Sequence, residues 1–523
     1  MKSLFSSPPL VVGGLAFCLA LACSTSNPDP TSGSSATRSN GRILALSETG
    51  TDVYILDLEQ GIVETQSKSV SNSAEMIISP EGQFALMVQS SGNRVDLLKM
   101  GTSVVASTEE SSSGTDDHGH DHGKPRLAGD HDHGSESSSD SSNSESSSTS
   151  TSSVDQVDIS ITGDGLGHVV ARGQWMSVQF SDKIVVIAEE DLENKLNSIS
   201  ETIVHEIVSS DNFSKSLPAV PMDEEHIAIG NWIFEIKENG MGANLNTGSN
   251  VTANGLVSAN ILSATRSGEG TALFGTDQGL LVVGKHTESG NVEWEDLMVP
   301  YPTVAEANIF LAEEHDHGEG EEEAGHDEHE EVEENRAASE WATMDGLGHA
   351  FAHLTHEDHS AGIYLVEAEG KEEPSEVSFE YLDGTSSSSS RPMLMTIVTL
   401  HEEEEHEEEE EEEHTETQYL LILMSSGNLR VHDAVNEGAF VRTLDSVISP
   451  ITDFHAGENN LPGMSAGLGK VFIGDPSSNE VHQIDLETFQ AELTWNLSMT
   501  PNRLLLMGES TMSEGSGTTH DHD

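Results

Sequence analysis

The sequence predicts an all-β fold, a single β-propeller of seven or eight blades, on three observations. A two-strand pattern recurs along the chain from Gly41 onward. Turn-forming residues separate its apolar runs, which is the hairpin signal. No amphipathic helix of normal length lies between the units. Units of short strands repeating at roughly 45 residues are the mark of a propeller, and a pair of stacked β-sandwiches is the alternative architecture.

Eight units carry the pattern. RILALSETGTDVYILDL (42–58) is an apolar strand, a polar turn and an alternating strand, and GQFALMVQSSGNRVDLL (82–98) repeats it around Ser-Gly-Asn. The others are MSVQFSDKIVVIAEEDL (176–192), HIAIGNWIFEIKENG (226–240), TALFGTDQGLLVVGK (271–285), HAFAHLTHEDHSAGIYLVEA (349–368), QYLLILMSSGNLRVHDA (418–434) and KVFIGDPSSNEVHQIDL (470–486). The apolar stretch NRLLLMG (502–508) is expected to pair with the first strands and close the ring, removing the open sheet edges of a linear array. The propeller therefore spans 41–508, stretched by insertions at about 107–153, 312–338 and 401–417 that fall between strand signals and read as disordered loops outside the blades. Residues 509–523 form a free tail.

The N-terminus sets the expected compartment. Lys2 precedes an apolar run, Leu10 to Ala22, too short for a membrane span and built like a secretory signal. Leu19-Ala20-Leu21-Ala22-Cys23 resembles a bacterial lipobox, so 1–22 reads as a lipoprotein signal peptide, Cys23 as the lipid attachment site and 23–40 as a tether. The expected location is the bacterial cell envelope, anchored to a membrane by lipid and facing the periplasm or exterior. Cys18 lies inside the signal, so any metal site in the remainder uses His and carboxylate.

The 523 residues carry 22 Lys and Arg against 92 Asp and Glu, a net charge of −70. This excludes nucleic acid, whose phosphates require cationic side chains, and suits cations. Thr115 to Gly134 reads TDDHGHDHGKPRLAGDHDHG, with His118, His120, Asp121 and His122 in one cluster and His131, Asp132 and His133 in another. Imidazole is a common ligand for divalent transition metals, Asp adds an oxygen, and Gly lets histidines two apart turn toward one ion. The motif recurs at His315, His317, His326 and His329, at His401, His406 and His414, and at His520 and His522. A solvated acidic linker with incidental histidines is the competing reading, and it fits the Glu run after His401 best.

Within the folded part, Asp-Gly-Leu-Gly-His occurs twice, ending at His168 and His349. Each copy leads into an apolar strand, so two histidines from different blades are expected near the central channel. His349 and His353 would share a strand face, and His356 and His359 follow in a loop. His455 precedes a strand and is a weaker candidate. His226, His286, His432 and His482 read as ordinary polar neighbours. There is no HExxH, GxSxG, Walker A or strand-following GxGxxG, so no reaction is demanded and the chain is not expected to be an enzyme.

The series SPEGQFALMVQSSGNRVDLL, the His/Asp loop, ITGDGLGHVVARGQWMSVQFSDKIVVI, GTDQGLLVV, NLRVHDAVNEGAFV, KVFIGDPSSNEVHQIDLETFQAEL and PNRLLLMG resembles the AztD-type periplasmic zinc metallochaperones. That resemblance implies a β-propeller that binds Zn²⁺ and hands it to the solute-binding protein of a zinc ABC transporter. It implies metal ligation by the His118–His133 loop, by His168 and by His349. The family's His-His-Gly has no counterpart in KSLPAVPMDEEHIAIG (215–230), nor its Leu-His-Gly-Glu in NILSATRSGEG (260–270), and His353, His356 and His359 are the local candidates to replace them. The alternative expectation is an acidic surface propeller serving as a protein-interaction module without specific metal transfer.

Overall fold

In a computed structural model, residues 41–508 are described apart from loop segments, the longest left out being 100–154, 193–216, 246–260, 303–336, 368–376, 401–416 and 452–460. The described residues form eight antiparallel sheets arranged as the blades of a propeller. The first blade contains β1 (Arg42–Leu46), β2 (Asp52–Asp57) and β3 (Ile62–Ser67), with the last strand of the chain, β31 (Arg503–Met507), on its inner edge. The second is β4 (Glu75–Ile78), β5 (Phe84–Gln89), β6 (Arg94–Lys99) and β7 (Asp155–Thr162). Three strands are described in the third, β8 (Leu166–Arg172), β9 (Trp175–Phe180) and β10 (Ile184–Ala188). The fourth is β11 (Ala219–Pro221), β12 (His226–Ile229), β13 (Trp232–Lys237) and β14 (Gly240–Asn244), and the fifth β15 (Ile261–Arg266), β16 (Ala272–Thr276), β17 (Leu280–Glu288) and β18 (Asn291–Val299). The sixth is β19 (Ala337–Ala342), β20 (Ala350–Thr355), β21 (Ser360–Glu367) and β22 (Ser378–Tyr381). The seventh is β23 (Pro392–Leu400), β24 (Thr417–Met424), β25 (Leu429–Asp433) and β26 (Ala439–Leu444). The eighth is β27 (Met464–Gly467), β28 (Lys470–Asp475), β29 (Glu480–Asp485) and β30 (Gln490–Asn496). The blade count is thus eight.

Each of the eight units read from the sequence is the middle pair of strands of one blade. Those strands are covered on both faces by neighbouring blades, so they are apolar throughout: β5, β16 and most of β20 and β28 are buried. Outer strands face water, and β26 and β30 are exposed over most of their length. The apolar cores lie between blades. Phe84, Val95, Val178 and Val185 join the second blade to the third, while Phe472, Val481 and Trp495 of the eighth pack on Ile43 and Leu56 of the first. Burying one such side chain contributes about 1.5–3 kcal/mol.

Ring closure follows the expectation for NRLLLMG. β31 pairs antiparallel with β1 from Arg42 opposite Met507 to Leu46 opposite Arg503. Inner strands follow one another in ring order, β31, β4, β8, β11, β15, β19, β23 and β27, each in contact with the next, and β27 returns to β31. A polar pin ties the fifth blade to the sixth. The Tyr301 hydroxyl donates to Thr276 O (3.0 Å) and accepts from the amides of Thr276 (3.0 Å) and Ala338 (3.2 Å). Burial, the largest cause, pushes this phenol up to about 12.

Tyr301→Phe removes the hydroxyl that both amides share, and we expect it to lower unfolding stability by about 1–3 kcal/mol in a urea titration.

Candidate functional site

The strand order sorts the connections onto two faces of the disc. Inner strands all run in one sense, so they begin at one face (the start face) and finish at the other (the end face). Links from an outer strand to the next inner strand, and from a second strand to a third, lie at the start face. Links from first to second and from third to fourth strands lie at the end face. The first Asp-Gly-Leu-Gly-His copy joins β7 to the inner strand β8, at the start face, whereas the second joins the inner strand β19 to β20, at the end face. The two copies are therefore not equivalent, and the structure does not bring His168 and His349 together. Repetition of a five-residue turn carried no information about which strands it joins.

The same bookkeeping sorts the histidine tracts by the strands that flank them. Residues 100–154 separate β6 from β7, residues 401–416 separate β23 from β24, and residues 509–523 follow β31; all three leave from the end face, where Gly41 also leads into β1. Residues 303–336 separate β18 from β19 at the start face. His118, His120, Asp121, His122, His131, Asp132, His133, His356, His359, His455 and Cys23 all lie outside the described residues.

His168 is half-buried on β8, where the pairing register with β9 slips between Leu166 and Val169. The buried Gln179 side chain lies directly behind the slip, its Oε1 about one van der Waals contact from the space beside Gly167. His353 is 6% exposed on β20, with Nδ1 3.8 Å from Glu340 Oε2 on the inner strand β19. His349 and His353 do share the face toward the seventh blade, yet four residues of extended chain separate their Cα atoms by about 13 Å, which is too far for one ion. Among the described residues no group of three or more His, Cys, Asp and Glu side chains is placed to hold a metal.

The densest polar geometry lies between the sixth and seventh blades at the end face. His349 donates from Nε2 to Ala434 O at 2.6 Å, and its ring stands edge-on to Phe351, centroids 5.2 Å apart. Burial lowers its pKa, opposed by the Ala434 carbonyl and by Glu367 and Glu437. Ala434 and Gly438 bound one turn between β25 and β26. His432, 1% exposed on β25, donates from Nδ1 to Gly438 O at 2.7 Å, and burial lowers its pKa as well. Gly438 has φ +71°, and a Cβ there would fall 2.7 Å from Leu382 and 3.1 Å from Phe351, so the turn closes tightly against the sixth blade. His432 reads in the sequence as an ordinary polar neighbour, because a single histidine near a strand end has no repeated context; its near-complete burial sets it apart. His482 keeps the ordinary role read for it, beside Thr494 and Glu480, and His226 binds Asp223 through Nδ1 at 2.8 Å.

No protein-family model matches the chain, and no curated protein matches it. Solved structures do match. The chain is similar to AztD from Citrobacter koseri. The apo form superposes with a TM-score of 0.52 at 13% identity, over 89% of this chain and 97% of that one. A second crystal structure of the same protein gives 0.51 at 14% identity, over 90% and 98%. The periplasmic gluconolactonase PpgL of Pseudomonas aeruginosa gives 0.39 at 10% identity, over 90% and 99%, and carries no functional argument. At these identities the likeness to AztD shows the propeller fold. Among the described residues no helix is long and apolar enough to cross a membrane.

A histidine whose folded pKa is depressed contributes stability that is complete above its unfolded pKa, about 6.5, and is lost as pH falls below it. His349 and His432 both act in this sense. The melting temperature should therefore drop as pH falls below about 6.5, and His349→Gln should make that drop shallower.

Proposed function

We propose that the protein is a non-catalytic, zinc-binding propeller of the bacterial envelope, held to a membrane through Cys23. It captures Zn²⁺ and passes it to the solute-binding protein of a zinc ABC transporter. The observation that carries this reading is the set of His/acid tracts inserted at propeller connections, three of the four leaving from one face. Fold likeness to AztD over nearly the whole of both chains supports it, as does the sequence resemblance to zinc metallochaperones. In this reading the tracts collect Zn²⁺ weakly and in numbers, through imidazole nitrogens with Asp and Glu oxygens alongside. His168, His349, His353, His356, His359 and His455 are the candidates in and beside the blades for holding one ion more tightly before transfer.

A second reading, an acidic propeller that binds another protein, draws on Phe440 and Leu493, which are 55% and 48% exposed on the outer strands β26 and β30. Calcium competition separates the two, because carboxylate-only tracts prefer calcium and imidazole does not.

Calorimetric titration of the tag-free chain from Cys23 with Zn²⁺ tests the proposal, beside a variant lacking 116–134, 313–331, 401–414 and 520–523. We expect several weak sites to vanish with the tracts while at least one tighter site survives. Affinity should fall as pH drops through about 6.5, since the ligating imidazoles must be deprotonated. Absence of zinc binding by the intact chain at neutral pH would end the metallochaperone reading.

A further inference from the structure

The interface between the sixth and seventh blades holds two buried acceptors without a partner among the described residues, His432 Nε2 and Gln418 Oε1. His432 Nδ1 carries its proton, donated to Gly438 O, so Nε2 is left with a lone pair; that atom is shielded from water and has no partner among the described residues. His349 donates from Nε2, so its Nδ1 holds the lone pair. Gln418, on β24 and 7% exposed, has an Oε1 that is also buried without a partner among the described residues. Beside them the Thr399 hydroxyl is directed to Met344 Sδ at 2.9 Å.

These groups share one neighbourhood. Ala434 N donates to Gln418 O, so Gln418 and Ala434 stand opposite each other across β24 and β25, and His432 stands opposite Leu420, one row further in. Opposed residues have Cβ atoms about 5 Å apart and diagonal ones about 7–8 Å. All of them project toward the sixth blade, as do Leu420, Ile422 and Ala434 in the shared core. His349 closes the group from that blade, since its ring reaches Ala434 O.

His432 Nε2 and Gln418 Oε1 are two buried acceptors without a partner among the described residues, and His349 brings a further lone pair from the facing blade, a set that suits a positive occupant. Both imidazoles have their far nitrogen fixed by a backbone carbonyl, the outer-shell arrangement that sets the tautomer and raises the basicity of a metal-binding histidine. Neutral nitrogen and amide oxygen donors, with a thioether at Met344 alongside, suit borderline transition metals and not calcium or magnesium. Glu367 and Glu437, which act electrostatically on His349, offset the charge of a cation. We propose that this interface is a binding site for a borderline transition-metal cation, with His432 Nε2 and His349 Nδ1 as nitrogen donors and Gln418 Oε1 as the oxygen donor. The site stands on these side chains alone and does not depend on the histidine tracts or on transfer to a partner.

Thermal unfolding of the full chain, with and without Zn²⁺ as the probe, tests it. A ligand that binds folded and unfolded chains alike leaves the melting temperature unmoved, whereas a site built by two blades exists only in the folded state and raises it. We expect zinc to raise the melting temperature of the wild type. In His349→Ala and Gln418→Leu the zinc concentration needed should rise at least about tenfold, while His226→Gln, in the fourth blade, responds as the wild type does. Without zinc, Gln418→Leu should melt no earlier than the wild type, because it deletes an unsatisfied buried acceptor. A wild type unmoved by zinc, or an unchanged response in both variants, overturns the site. So does an early metal-free melt of Gln418→Leu, which would mean that the amide oxygen is already satisfied by a trapped water. The weak sites lost with the tracts are read by the calorimetric titration alone, whereas the melting shift and its dependence on Gln418 read the folded interface, so failure of one is distinguishable from failure of the other.

Discussion

Burial of both faces of each blade's middle strands is the constraint on which the rest of this structure depends. A four-stranded sheet of this size cannot hide two apolar faces by itself, and here each blade hides them against the blades before and after it. Sites for chemistry are then confined to the few places where polar side chains interrupt that packing. Tyr301 interrupts it with a satisfied set of hydrogen bonds, and His432 with an unsatisfied one.

The same constraint explains what could be read from the sequence. Middle strands are apolar because they are covered twice, so all eight hairpins and the closing strand at Arg503–Met507 were legible, while the choice between seven and eight blades came from the eight sheets themselves. Outer strands such as β26 and β30, exposed to water on most positions, carry too little pattern to be recognised in advance. The candidate site was legible only as composition. A repeated turn suggested that His168 and His349 act together, but a turn motif records local backbone geometry and not the face of the disc to which it belongs. His432 and Gln418 gave no signal, since what distinguishes them is burial without a partner, a property of the neighbouring blade as much as of their own strand.

Sorting by face also separates two kinds of metal chemistry that a histidine count merges. The proposed capture by the tracts would draw on abundant Asp and Glu, so it would be set by charge and by proton competition. The interface between the sixth and seventh blades holds two imidazoles by backbone carbonyls from a single turn, so the selectivity of the site proposed there would be set by the geometry of the Ala434–Gly438 turn. A side chain at Gly438 would alter the fit of the two blades, since its Cβ would fall 2.7 Å from Leu382.

The pairing of β31 with β1 has a consequence for how the chain comes to be folded. The first blade lacks its innermost strand until the last strand of the ring is available, so β1 presents an open apolar edge throughout synthesis. The entropic cost of closing this loop is offset only when the final pairs form, which ties completion of the first blade to the most sequence-distant contacts in the chain. A chain interrupted anywhere before Arg503 is therefore left as an array with two sticky ends, and a protease or chaperone that recognises unpaired strands can tell a finished molecule from an unfinished one by this single seam.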